Sequence, residues 1–235
     1  MVRIHIGVYC SEVDTGAEVG LGGIDWQAVV ASLEGPGWVR LQSVVPARVC
    51  AQLVEAAPSS WSVVDPDEGG GVVRQGGLSS HAEVTGAAPI VRSFAQSIVL
   101  AINRTRSAEL LELPAFNHAN WGRSIDGVGF ITAHRDPPAA GGMIAITTLA
   151  GRARFRVWDD DGVSELPSVE HDPVAAHEWD TDDGDLVLLR GGGWPRLASR
   201  CPVHEVESPP TGDRIILTLR HNKGGYGTSY FTSTG

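Results

Sequence analysis

Every second residue is apolar from Val2 through Ile4 and Ile6 to Val8, the period of a strand half-buried in a sheet. Further strands are predicted at 38–45, 115–121, 128–134, 143–149, 153–158, 185–190, 203–207 and 213–221. Three other stretches carry apolar residues at helical spacing. Ile24 to Leu33 is stopped by Gly35-Pro36-Gly37, and Pro46 opens a helix running through Leu53 to Ala57, proline being suited to a first helical turn. The longest, Ala88 to Arg106, places Ile90, Val91, Phe94, Ile98, Val99 and Ile102 on one stripe behind Pro89. That stripe is expected to cover the outer face of a sheet, with Arg104 and Arg106 favourably placed at the helix C-terminus. The series predicts a mainly β, two-sheet barrel with flanking helices.

Between these elements the chain is polar. Pro58 to Thr85 is rich in Ser, Gly, Asp and Pro, and residues 66–84 are the candidate substrate lid, with Arg74 and His81 as its handles for an anionic group. The acids clustered between Asp159 and Asp185 lack the ordered ligand series and closing glutamate of a calcium loop, so they read as a solvated, self-repelling loop. Gly191-Gly192-Gly193-Trp194-Pro195 lacks the Gly-Lys-Ser/Thr ending of a phosphate loop. It reads as a flexible connection to the strand that begins near His204.

The strand ending at His134-Arg135-Asp136 carries the candidate chemistry. On extended backbone, residues two apart point the same way, so His134 and Asp136 can serve one metal. The motif is not rare. Eight histidines and 28 acids in 235 residues give roughly one chance His-x-Asp/Glu pair, and this chain has two, the other being His81-Ala82-Glu83. Context favours His134 and Asp136, which close an apolar run and precede Pro137 and Pro138, residues that stop a strand. Two histidines and a carboxylate with open positions suit non-haem Fe(II), and His204 is the candidate third ligand.

The C-terminal strand, Asp213 to His221, puts Arg214, Ile216, Thr218 and Arg220 on one face and Ile215, Leu217 and Leu219 on the other. Arg214 and Arg220 are about 20 Å apart along an ideal strand. Two such guanidinium groups leaning inward can hold both ends of a short dicarboxylate.

The run Asp126-Gly127, His134-Arg135-Asp136, Met143 to Leu149, Gly184 to Leu189, His204 and Arg214-x-x-Leu217-Thr218-x-Arg220 resembles the AlkB-like 2-oxoglutarate/Fe(II) dioxygenases, over about half the chain. The resemblance implies a double-stranded β-helix (jelly-roll, cupin-like) spanning 1–235 as one domain. In it 1–114 supplies N-terminal strands, support helices and lid, and 115–221 the core with the metal site. It implies iron bound by His134, Asp136 and His204, Arg214 on the distal carboxylate of 2-oxoglutarate, and Arg220 near its iron-binding end. Asn120 and Thr218 are further candidate cosubstrate contacts, and Trp121 joins Arg74 and His81 as a candidate substrate contact. The chain departs from the family's pattern at Asn120-Trp121-Gly122, where Asn-x-Tyr is usual, and at Ile216, where asparagine is usual. The implied reaction consumes O2 and 2-oxoglutarate, releases succinate and CO2, and hydroxylates or demethylates a substrate.

Composition narrows the substrate. The net charge is −10 and Lys223 is the only lysine, the opposite of the basic footprint of a nucleic-acid binder. Oxidation of an aliphatic C–H in a small molecule is therefore the leading expectation, ahead of demethylation of methylated nucleic acid and of a barrel that binds a carboxylate without turnover. Cys10, Cys50 and Cys201 are odd in number and scattered, which argues against a disulfide framework and against a thiolate metal site. No basic-then-apolar leader or membrane-length apolar run is apparent, so a cytoplasmic protein is expected.

Overall fold

The computed structural model describes residues 19–64, 75–106, 112–125, 128–136, 139–158, 176–192, 194, 201–207, 209 and 212–224. The strand expected at Val2–Val8 lies outside them. The described strands are β1 (Trp38–Leu41), β2 (Ser62–Val64), β3 (Gly77–Glu83), β4 (His118–Ser124), β5 (Ile131–His134), β6 (Ala140–Ala150), β7 (Arg154–Trp158), β8 (Ala176–Asp180), β9 (Leu186–Arg190), β10 (His204–Val206) and β11 (Arg214–Asn222). They form a seven-stranded sheet in the order β1-β9-β6-β11-β4-β3-β2 and a four-stranded sheet in the order β5-β10-β7-β8. Every strand pair is antiparallel.

Three helices back the larger sheet. In α1 (Trp26–Glu34) the Asp25 carboxylate accepts from the N–H groups of Gln27 and Ala28, satisfying donors that the first turn leaves open. In α2 (Ala47–Glu55) Pro46 stands one place before the first helical residue, and Val49, Cys50 and Leu53 face inward. The stripe of α3 (Pro89–Thr105) buries Val91, Phe94, Ile98 and Ile102. These side chains meet Ala119, Trp121, Ala145, Leu186, Leu188, Leu217 and Leu219 in one core, the outer face of the sheet, as the periodicity predicts.

A second core lies between the sheets, built from Ile144, Ile146, Phe155, Val157, Val187, Leu189 and Val206. β6 is buried along nearly its whole length, because one face serves each core. The alternation of β11 thus separates outward Leu217 and Leu219 from inward Arg214, Ile216, Thr218 and Arg220.

Three expectations change. β1 ends at Leu41 rather than residue 45, because Ser43 adopts φ 48° and donates its N–H to Asp185 Oδ1 at 2.9 Å. The candidate lid at 66–84 is in part a strand: 65–74 lie outside the described residues, but 77–83 form β3, paired to β2 and β4. Residues 176–180, read as a charged loop, form β8, where Glu178 and Asp180 pair with Arg154 and Arg156 across the strands. Opposite charges directly across a ladder offset the repulsion that the acids alone would feel. Among the described residues no helix is long and apolar enough to cross a membrane.

Candidate metal centre

β5 and β10 carry the two histidines into direct register, His134 facing His204 across the ladder. Asp136 lies two residues beyond the end of β5. Ligand atoms of these three buried side chains all fall within 4.8 Å of one another, so the structure brings together the set singled out in the sequence. His134 Nδ1 lies 2.9 Å from the Thr132 carbonyl and His204 Nδ1 lies 3.1 Å from the Pro202 carbonyl. A carbonyl only accepts, so each Nδ1 carries the proton and each Nε2 presents a lone pair. Fixing the tautomer through the far nitrogen is the usual support for a metal-binding imidazole.

Electrostatics prepare the same set. Burial, and then the neighbouring His204, push His134 down to about 3, and burial lowers His204 as well. Both rings are neutral at pH 7, the form that binds a cation. Burial alone would raise Asp136, but the charge of the Arg220 guanidinium beside it outweighs that and the carboxyl stays below its usual range. Arg220 stands 3.3 Å from Asp136 Oδ1. The other oxygen, Oδ2, is buried without a hydrogen-bond donor, 3.5 Å from His204 Nε2. Two lone pairs and an unsatisfied carboxylate oxygen converging in a buried space fit a divalent cation. Among the described residues no other His, Cys, Asp or Glu group of three is so arranged. Cys201 does not join it, and burial pushes its thiol up.

Farther along the inner face lies a second uncompensated charge. Arg214 is 3% exposed, and its recorded contact is Thr148 Oγ1 at 3.4 Å. Its Nε has no acceptor, and among the described residues no carboxylate pairs with it. Desolvation brings its pKa down to about 10, which leaves it cationic at pH 7. A buried cation without a counterion is costly, and a ligand carboxylate is the group that removes the cost. Thr218 is buried on the same face, opposite Asn120 in the β4–β11 register.

The other expected residues separate. Trp121 is not placed to touch a substrate: it points to the outer face, is fully buried, and donates its indole N–H to the Leu53 carbonyl at 2.8 Å. Neighbours on a strand face opposite ways, so Asn120 and Trp121 cannot share the pocket. His81 lies on β3, exposed, within 3.0 Å of His118, and Arg74 lies outside the described residues. Gly122 packs against Ile216, whose Cγ1 would stand 3.0 Å from any added Cβ, so the two departures from the family pattern are neighbours. Ser79, Thr148 and His118 are polar inner-face residues that sequence reasoning misses. Extending the period of two backward from Asn120 would have reached His118.

With the geometry in hand, comparison with solved structures is informative. A Pseudomonas putida prolyl-4-hydroxylase matches with a TM-score of 0.58 at 19% identity, covering 84% of this chain and 98% of that one. A 2OG-Fe(II) oxygenase family oxidoreductase from Burkholderia pseudomallei matches with a TM-score of 0.55 at 13% identity, over 86% and 93%. The non-haem α-ketoglutarate-dependent epimerase SnoN of nogalamycin biosynthesis matches with a TM-score of 0.52 at 14% identity, over 89% and 91%. The fold is the jelly-roll of the 2-oxoglutarate/Fe(II) oxygenases. Identities this low establish the oxygenase fold and do not single out its AlkB-like branch. No family model and no curated protein sequence matches the chain.

Proposed function

We propose that this chain is a non-haem Fe(II)- and 2-oxoglutarate-dependent dioxygenase that hydroxylates an aliphatic C–H bond of a small molecule. The observation that carries the reading is a pair of buried charges left open on one inner surface. Asp136 Oδ2, without a donor, lies beside the Nε2 atoms of His134 and His204, and the Arg214 guanidinium has Thr148 Oγ1 within reach and, among the described residues, no carboxylate paired with it.

Iron, 2-oxoglutarate and dioxygen bound there would supply the oxidising power for the C–H bond, with succinate and CO2 as co-products. The chain's own part is binding, orientation and exclusion of water. His134, Asp136 and His204 hold the metal, and the carbonyls of Thr132 and Pro202 keep both rings in the ligating tautomer. Arg214 binds the distal carboxylate, with Thr218 farther along the same face of the strand. Arg220, already at Asp136, serves the carboxylate nearer the metal. Ile144, Ile146, Leu189 and Phe155 keep the surroundings apolar.

The acidic charge of the chain and its single lysine favour a small molecule over a polyanion. The motif resemblance to AlkB-like proteins supports a second reading, oxidative demethylation of nucleic acid. Incubation with Fe(II), 2-oxoglutarate and O2 is expected to yield succinate. Absence of both succinate and 2-oxoglutarate binding would overturn the reading. Formaldehyde release from a methylated oligonucleotide, with none of the small molecules tried stimulating turnover, would favour the second reading.

A further inference from the structure

On the inner face, β3 and β4 carry a continuous line of polar contacts. The Ser79 hydroxyl is 2.8 Å from Asn120 Oδ1 and 2.8 Å from His81 Nε2, and His81 Nδ1 is 3.0 Å from His118 Nε2. The ring centroids are 5.2 Å apart and the planes 22° from parallel, so the contact runs edge to edge.

Proton counting gives this line one direction. Asn120 Oδ1 can only accept, so the single Ser79 proton goes to it. Ser79 then has only lone pairs for His81, whose Nε2 must carry the proton and donate. His81 Nδ1 is therefore bare and accepts from His118 Nε2–H. Donation runs from His118 to His81 to Ser79 to Asn120.

The end of the line decides what the pocket offers. With its oxygen taken by Ser79, Asn120 has its NH2 on the opposite branch of the amide, and that nitrogen makes no hydrogen bond among the described residues. Asn120 stands opposite Thr218 in the strand register, on the face that carries Arg214 and Arg220. A flipped amide would instead present an acceptor there, which disfavours a carboxylate.

We infer that Ser79 is a positioning residue for the cosubstrate: its hydroxyl, oriented by His81 and His118, holds Asn120 with the amide N–H donors available to 2-oxoglutarate. The inference rests on the reading of this face as a 2-oxoglutarate pocket. His118, buried opposite Arg220 in the strand register, begins the line, and His81 is its exposed link to Ser79.

The test is calorimetric titration of 2-oxoglutarate into the Mn(II)-loaded full chain, where no turnover occurs. Ser79→Ala is expected to weaken 2-oxoglutarate binding about five- to tenfold, the usual cost of an orienting hydrogen bond. Mn(II) affinity should be unchanged, because Ser79 touches none of the metal-binding side chains. Ser79→Thr keeps the hydroxyl, and its extra methyl faces Gly122 across the ladder, so its binding should return to within about twofold of wild type. In Asn120→Ala, adding Ser79→Ala should cost nothing more, since Ser79 acts through Asn120. His81→Ala, at an exposed position that tolerates truncation, should weaken binding in the same direction and keeps the test available if Ser79→Ala does not fold. Wild-type affinity in Ser79→Ala, additive losses in the double variant, or a parallel fall in Mn(II) affinity would each overturn the inference while leaving the pocket assignment standing. With Ser79→Ala unfolded, wild-type affinity in His81→Ala would overturn it likewise. Failure of the wild-type chain to bind 2-oxoglutarate would overturn the pocket assignment, and the inference with it.

Discussion

His134 and His204 face each other directly across the β5–β10 ladder, and each donates its Nδ1–H to the carbonyl two residues earlier in its own chain. Two rings locked the same way aim both Nε2 atoms at the same space. Asp136 brings the only negative charge of the set. Asp136→Ala is therefore expected to lower Fe(II) or Mn(II) affinity at least a hundredfold, on the order of 3 kcal/mol, and to abolish succinate formation. Glu83→Ala, in the competing His-x-acid pair, should leave metal affinity within about twofold, because Glu83 is exposed and outside the metal set. Metal titration of the two variants decides between the pairs, and the reverse pattern would move the metal centre to β3.

Acid should destabilise the metal-free protein well before its carboxylates protonate. Burial, followed by His81 and Arg220, lowers His118 to about 4, and His134 and His204 are lowered too. Unfolded histidines titrate near 6.5, so between about 6.5 and 4 the unfolded chain binds more protons than the native one. Stability is thus full above pH 6.5 and declines as pH falls, by at most about 1.4 kcal/mol per pH unit for each such histidine. Urea midpoints measured at pH 7.5, 6.0 and 5.0 should fall in that order. A midpoint flat across this range would mean that these rings are not held neutral.

The metal set is legible in the sequence because His134 and Asp136 follow an apolar strand and His204 opens another, and the arginines are legible because period two separates them from Leu217 and Leu219. The polar wall is not. β3 presents Ser79 and His81 inward, while Ser80 on its other side donates to the Ser60 carbonyl at 2.7 Å. The inner face is polar because it lines the pocket, and on the other Ser80 interrupts Leu78 and Ala82, so neither face shows the continuous apolar alternation by which strands are recognised. β8 is hidden for an electrostatic reason: its acids repel one another along the chain, and the arginines that neutralise them belong to β7. For Trp121 the period-two rule itself carries the correction, because a neighbour of Asn120 must point to the helices.

That placement has its own test. Trp121→Phe keeps an aromatic ring in the outer core but removes the donor to the Leu53 carbonyl, leaving a buried acceptor unpaired and a gap behind it. A loss of about 1–3 kcal/mol in unfolding free energy is expected. The affinity of the Mn(II)-loaded chain for 2-oxoglutarate should stay within about twofold. A large loss of affinity with little loss of stability would put the indole on the pocket side after all.

Arg214 separates function from stability most sharply, because the same buried charge should serve one and harm the other. Replacing it with methionine removes an uncompensated cation from the interior and fills much of the space with an apolar side chain of flexible shape. The ligand-free Arg214→Met protein is therefore expected to be more stable than wild type by on the order of 1–3 kcal/mol, read as a higher urea midpoint at unchanged slope. Binding of 2-oxoglutarate should fall at least a hundredfold, since its distal carboxylate would be buried without a partner, at a cost on the order of 3–5 kcal/mol. Mn(II) affinity should survive, as Arg214 touches Thr148 and not the metal ligands. Thermal melts with 2-oxoglutarate titrated in then give opposite signs: stabilisation by ligand in wild type, and a higher but ligand-insensitive transition in the variant. Lower stability combined with normal 2-oxoglutarate affinity would mean that Arg214 holds the sheet together and that the cosubstrate lies elsewhere.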